Sequence, residues 1–157
     1  MQDIDINEIR LLYKNASNNS RKCDELYQKL DFKEVEQHPI FLGYRGATQA
    51  IRAKHSFFPH LKYARFREAM HILDRAIIKD EHSAELRFLR FTIQTNSPAI
   101  FNYKGQIQED KNIMTDTLSQ TEVDPGLIKV IATALFESDA TTKTEKDLAK
   151  EHLDKLQ

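Results

Sequence analysis

A chain of 157 residues, 40% hydrophobic and 30% charged, is long enough to bury a core without a metal or a crosslink. Its one cysteine, Cys23, excludes an internal disulfide framework, and no apolar run approaches the ~18 residues needed to cross a membrane. The net charge of −1 is unevenly spread: residues 1–41 carry 6 basic and 8 acidic side chains, residues 42–90 carry 10 and 5, and residues 91–157 carry 7 and 11. A basic centre of this size attracts an anionic partner or neutralises the acidic flanks, and it falls short of the excess typical of a nucleic-acid surface.

The start M-Q-D-I-D-I-N-E-I is acidic and lacks the basic-then-apolar order of a secretory signal, so a cytoplasmic location and no membrane partner are expected. Apolar residues three and four apart predict a first helix over about 5–15, with Ile6, Ile9, Leu12 and Tyr13 inward. After the polar break around Asn18, Ser20 is the expected cap of a second helix presenting Cys23, Leu26, Tyr27 and Leu30. A third helix is predicted over about 40–57, ended by Phe57, Phe58 and Pro59, and a fourth over about 62–79 with Phe66, Ala69, Met70, Leu73, Ala76 and Ile77 on one stripe. Ser83 ends a turn and precedes a fifth helix, which Asn96, Ser97 and Pro98 stop. A sixth is expected near 105–118. A seventh opens on Asp124-Pro125, and an eighth starts near Thr142 with Leu148, His152, Leu153 and Leu156 along its apolar side. The fold expected is all-α: seven or eight short helices in antiparallel hairpins, about 5–31, 40–79, 83–118 and 124–156, in one irregular, repeat-like domain spanning 1–157.

Two strings share a pattern. P-I-F-L-G-Y-R-G runs from Pro39 to Gly46, and P-A-I-F-N-Y-K-G from Pro98 to Gly105. Proline at a helix approach is ordinary boundary grammar, and both prolines are expected to precede helices. The functional alternative makes Tyr44, Arg45, Tyr103 and Lys104 the lining of one groove. Neither string has the glycine spacing of a phosphate loop.

The densest basic pattern is R-F-L-R-F-T-I-Q. Arg87, Arg90 and Gln94 share one helix face, beside an apolar face of Leu86, Leu89 and Ile93 that Phe88 and Phe91 widen. Arginines on a helix covered on most sides need partners. They are either paired internally with carboxylates from the acidic flanks or poised to receive a carboxylate or phosphorylated group. The binding residues singled out are Tyr44, Arg45, Arg87, Arg90, Gln94 and Tyr103, with Lys54 and His55 as weaker candidates. Histidines His55, His60 and His71 form no H-E-x-x-H pattern, so no metal ligands, no cofactor and no catalytic residues are assigned. Cys23 lies on an apolar face, where a thiol is simply packed. Glu109 and Asp110 are adjacent, a spacing poor for shared acid–base work and usual on a wet surface. Phe57, Phe58 and Tyr63 with Lys54 and Lys62 make a basic-aromatic patch, simplest as packing and, less simply, a platform for nucleic-acid bases.

Ala69, Leu73 and Ala76, followed by the acidic turn D-E-H-S, resemble the second half of a tetratricopeptide-type repeat, and Leu42-Gly43 resembles the Leu-Gly pair of its first helix. Between Gly43 and Ala69 the chain has about fourteen residues more than a standard repeat, including K-H-S-F-F-P-H-L-K-Y. The resemblance covers Leu42 to Leu86. It implies a protein-interaction scaffold that holds a peptide in a concave face. The function expected is thus a non-catalytic interaction domain whose partner is a protein or an acidic peptide. The alternatives are a small helical enzyme or ligand-binding protein with a polar site around His55, Arg87 and Arg90, and a nucleic-acid accessory protein.

Overall fold

The computed structural model describes residues 3–157; Met1 and Gln2, the first two residues of the acidic start, lie outside the described residues. Among the described residues there are eight α-helices and no strand: α1 (Ile6–Ala16), α2 (Ser20–Lys29), α3 (Pro39–Lys54), α4 (Pro59–Lys79), α5 (Ala84–Asn96), α6 (Ile107–Leu118), α7 (Pro125–Glu137) and α8 (Lys143–Lys155). They pack as consecutive pairs, α1 on α2, α3 on α4, α5 on α6 and α7 on α8, giving the hairpins that the periodicity predicts. No helix among the described residues is long and apolar enough to cross a membrane. The chain divides into two compact units, Met1–Glu81 and His82–Gln157.

In the N-terminal unit the predicted stripe of α4 is buried throughout: Phe66, Ala69, Met70, Leu73, Ala76 and Ile77 all face inward. Each large apolar side chain so buried contributes about 1.5–3 kcal/mol. Leu42, Ala47 and Ala53 of α3, which packs on α4, are buried as well, and α1 and α2, with Ile9, Leu12, Cys23 and Leu26 buried, also pack on α3. The α3–α4 approach is close at Gly46. A Cβ there would lie 2.9 Å from the backbone nitrogen of Leu73 and 3.1 Å from the carbonyl oxygen of Ala69. Glycine therefore sets the spacing of this hairpin, three residues beyond the Gly43 singled out by the repeat resemblance. A 3-10 turn that the periodicity did not signal, Lys33–Gln37, buries Val35 beside α3.

Helix boundaries follow the capping chemistry. Asn19, not Ser20, caps α2, because its side chain accepts from the backbone N–H of Lys22 and Ser20 is already helical. Pro59 opens α4 instead of ending α3. Its missing N–H costs nothing in a first turn, and it holds Phe58 extended at φ −93°, ψ 127°, so the fourth helix begins at 59 and the third closes at Lys54. Asp124 caps α7 as the Asp124-Pro125 pair predicts, and Ser83 and Thr142 cap α5 and α8, Thr142 through a reciprocal capping box with Glu145.

In the C-terminal unit, α5 is buried on nearly every side: Leu86, Phe88, Leu89, Phe91 and Ile93 are joined in the interior by Arg87, Arg90 and Gln94. Met114 and Leu118 of α6, Ile128, Ile131, Ala132 and Leu135 of α7, and Ala149 of α8 complete this core. The two similar strings take different shapes. Pro39 starts the long helix α3, whereas Pro98 leads only into a 3-10 turn, Ala99–Phe101, and α6 waits until Ile107. Asn102, at the place Gly43 holds in the first string, turns left-handed at φ 49° and ends that turn.

Candidate functional site

The basic stripe of α5 meets its partners inside the C-terminal unit. Arg90 donates from Nε to Asp110 Oδ2 at 2.8 Å and from Nη2 to Oδ1 at 2.7 Å, a forked pair on a carboxylate with no exposed surface. Arg87 Nη1 donates to Glu109 Oε1 at 2.8 Å and lies 3.4 Å from Asp110 Oδ1. Gln94 completes the cluster. Its Nε2 donates to Asp110 Oδ2 at 2.8 Å, while its Oε1 accepts the backbone N–H of Gln106 at 2.9 Å, just ahead of α6. Burial works against the Arg90 charge, but the Asp110 hydrogen bond and charge, with Tyr103 and Glu109 adding, raise the guanidinium's pKa above its ordinary value. Asp110 thus departs from the wet-surface expectation, because three side chains of α5 converge on it. The cluster ties α5 to α6.

Tyr44, Lys54 and His55 are held by other contacts. Tyr44 is fully buried, with its ring edge-on to Tyr13 at 5.5 Å. Lys54 Nζ donates to the carbonyl and hydroxyl oxygens of Ser17, and His55 Nε2 lies 3.1 Å from the carbonyl oxygen of Ala16. Both thus serve the carbonyls that close α1, where cationic and N–H groups are favoured. Cys23 is buried 3.9 Å from the carbonyl oxygen of Thr48; burial first, then the nearby Asp24, pushes its thiol up to about 11 against the opposing charge of Arg52. Arg45, one of the six leading candidates, lines an open concavity.

That concavity is a groove of about 620 Å³ in the N-terminal unit, bounded by α2, the 3-10 turn, α3 and α4. Tyr27 forms part of its wall, with the Arg52 guanidinium 4.0 Å from its ring centre and that of Arg45 at 6.0 Å. Arg45 also reaches Asp31 at 3.3 Å, and Arg75 pairs with Glu36 at 2.8 Å. Gln49 donates to Glu68 at 3.1 Å and accepts from Arg52 at 3.1 Å. Along α4 the groove is lined by Arg67, His71 and Arg75, spaced one helical turn apart and all exposed. Among the described residues Arg67 and His71 join no ion pair; Arg67 lies 5.7 Å from the Tyr63 ring centre. Two arginines and a histidine in a row beside an aromatic wall, with Arg67 and His71 uncommitted to carboxylates, suit an elongated anionic ligand.

Arg67 and Arg75 were not among the residues singled out from the sequence. Their signal was available: R-x-x-x-H-x-x-x-R occupies the face of α4 opposite the apolar stripe. Among the described residues no group of three or more His, Cys, Asp or Glu side chains could hold a metal ion. Comparison with protein-family models, with curated proteins and with solved structures finds no match to this chain.

Proposed function

We propose that this is a cytoplasmic, non-catalytic interaction domain that binds an acidic segment of a protein partner in the groove of its N-terminal unit. The observation that carries the reading is the row Arg67, His71 and Arg75 facing Arg45 and Tyr27 across an open groove. Tyr27 offers apolar surface with a polar tip, and the arginines offer forked donors. The α3–α4 hairpin, with Ala69, Leu73 and Ala76 buried and Gly46 admitting close approach, supports a tetratricopeptide-like use of a helical hairpin as a peptide scaffold. Arg87, Arg90 and Gln94 have the supporting role of locking α5 to α6, and Arg45 is the residue carried forward from the sequence into the site.

The test is fluorescence anisotropy with a labelled peptide of alternating Glu and Tyr. Wild-type protein binds it with an affinity that falls as salt rises. Arg67→Ala/His71→Ala, a pair of exposed changes, weakens binding about tenfold, the equivalent of ~1.4 kcal/mol. Equal affinity in the wild type and this variant would remove the groove from consideration.

A further inference from the structure

The connection from α3 to α4 and the first turns of α4 leave apolar side chains exposed. Phe57 is 95% exposed, Phe58 60%, Tyr63 48% and Leu61 37%. From Pro59 to Arg65 no side chain of α4 is buried, and the inward stripe begins only at Phe66. The corner is nevertheless fixed. Arg65 Nη1 donates to Ser56 Oγ at 2.7 Å, and Ser56 Oγ donates to the carbonyl oxygen of Arg52 at 3.1 Å, joining the end of α3 to the start of α4. A rigid corner presents its aromatic rings at little further entropic cost.

The sequence leading through the corner carries charge of one sign. Between Gln37 and Arg67 there is no Asp or Glu, while Arg45, Arg52, Lys54, Lys62, Arg65 and Arg67 all fall in that span. Lys62 and Arg65 stand on the first turns of α4 among the exposed rings, and His60 lies 5.9 Å from the Phe58 ring centre. We propose that the corner Phe57–Tyr63 is a docking site for an anionic phospholipid surface. Phe57, Phe58 and Leu61 enter the interface, Tyr63 sits at the headgroup level, and Lys62 and Arg65 face the anionic headgroups. Aromatic and aliphatic groups are both taken up by a bilayer interface, whereas a stack of nucleic-acid bases uses only flat rings and gains little from Leu61. The cationic surround matches the negative surface potential of such a membrane. The lack of a spanning helix bears on crossing a bilayer and leaves contact with its surface open.

The chain has no tryptophan, so Phe57→Trp gives a single reporter at the corner. The probes are vesicles of phosphatidylcholine alone and of phosphatidylcholine with phosphatidylserine. The expected result is a blue-shifted, brighter emission with the anionic vesicles only, and co-sedimentation of wild-type protein with them. Phe57→Ser/Phe58→Ser lowers that partitioning about tenfold or more, because buried apolar area sets the binding strength. Lys62→Glu lowers it by severalfold, as expected for charge near an anionic surface. The serine variant keeps its unfolding midpoint and its affinity for the acidic peptide, which separates this site from the groove. Wild-type protein that stays in the supernatant, or a serine variant that sediments as well as wild type, overturns the proposal. A tryptophan shift produced by a poly-uridine oligonucleotide and not by anionic vesicles overturns it in favour of single-stranded nucleic acid.

Discussion

The two units put the same side chain to opposite uses. In the C-terminal unit Arg87 and Arg90 are 6% and 7% exposed, and Asp110 and Glu109 pair with them. In the N-terminal unit Arg67 and Arg75 stand in solvent on a groove. Both sets recur at helical spacing, so periodicity does not separate them. The rest of the helix surface does. Leu86, Phe88, Leu89, Phe91 and Ile93 surround α5 with apolar neighbours and carry its arginines inward, whereas the apolar stripe of α4 occupies one side and leaves the basic face wet. A basic stripe reads as a binding surface only where the remainder of its helix is not itself demanding burial.

The comparison breaks most visibly at Asp110. Asp110→Ala leaves two buried guanidinium groups without their shared carboxylate and lowers stability by about 3–5 kcal/mol, read from urea unfolding. A loss near zero would mean that the cluster is far wetter than its burial implies. Next in size is Gly46→Ala. The added methyl meets backbone atoms of Leu73 and Ala69, which cannot rotate aside, so α3 and α4 must separate. The overpacking outweighs the gain in helix propensity, for a net loss of about 1–2 kcal/mol. Because α3 and α4 both line the groove, affinity for the acidic peptide falls as well.

A third buried cation sharpens the contrast. Lys111 of α6 pairs with Glu145 at 3.0 Å and donates to the carbonyl oxygen of Ala140 at 2.9 Å. Burial pushes the Glu145 carboxyl up, but bonds from the Thr142 backbone N–H and from Lys111 outweigh it and hold the pKa below the ordinary 4.5. A depressed carboxylate stabilises the fold above its unfolded pKa, and that contribution disappears as pH falls below 4.5 through the folded value. Glu145→Gln therefore loses less stability than wild type between about pH 7 and about pH 3 in matched unfolding curves. The smallest stability effect belongs to Arg67→Ala/His71→Ala, which shifts unfolding by no more than about 0.5 kcal/mol while reducing peptide binding. A large stability loss there would make those side chains structural and erase the distinction between the units.

Local chemistry was legible where neighbours in sequence decide it. The stripe of α4 and the cap Asp124 are local signals, and each holds in the fold. The fate of Arg90 was not local. Its partner Asp110 lies twenty residues away on another helix, so the helical wheel of α5 identifies a need for a carboxylate without saying which side chain meets it. The paired strings after Pro39 and Pro98 show the same limit: matching letters enter a helix in one place and a left-handed turn at Asn102 in the other, because helical continuation depends on the residues beyond them. The groove was missed for a related reason. Arg45, Tyr27, Glu36 and Arg67 come from four separate elements, and only the α4 row has a spacing that one segment can display.

Cys23 has a practical consequence. Its sulfur is shut inside the N-terminal unit, and its pKa near 11 keeps it as the unreactive thiol at neutral pH. A maleimide or disulfide reagent can reach it only when the helices around it part. Being the sole cysteine of the chain, it makes the N-terminal unit its own clock. The rate of covalent labelling reports how often that unit opens, with no engineered probe, and a ligand seated in its groove would slow that clock in proportion to the opening it suppresses.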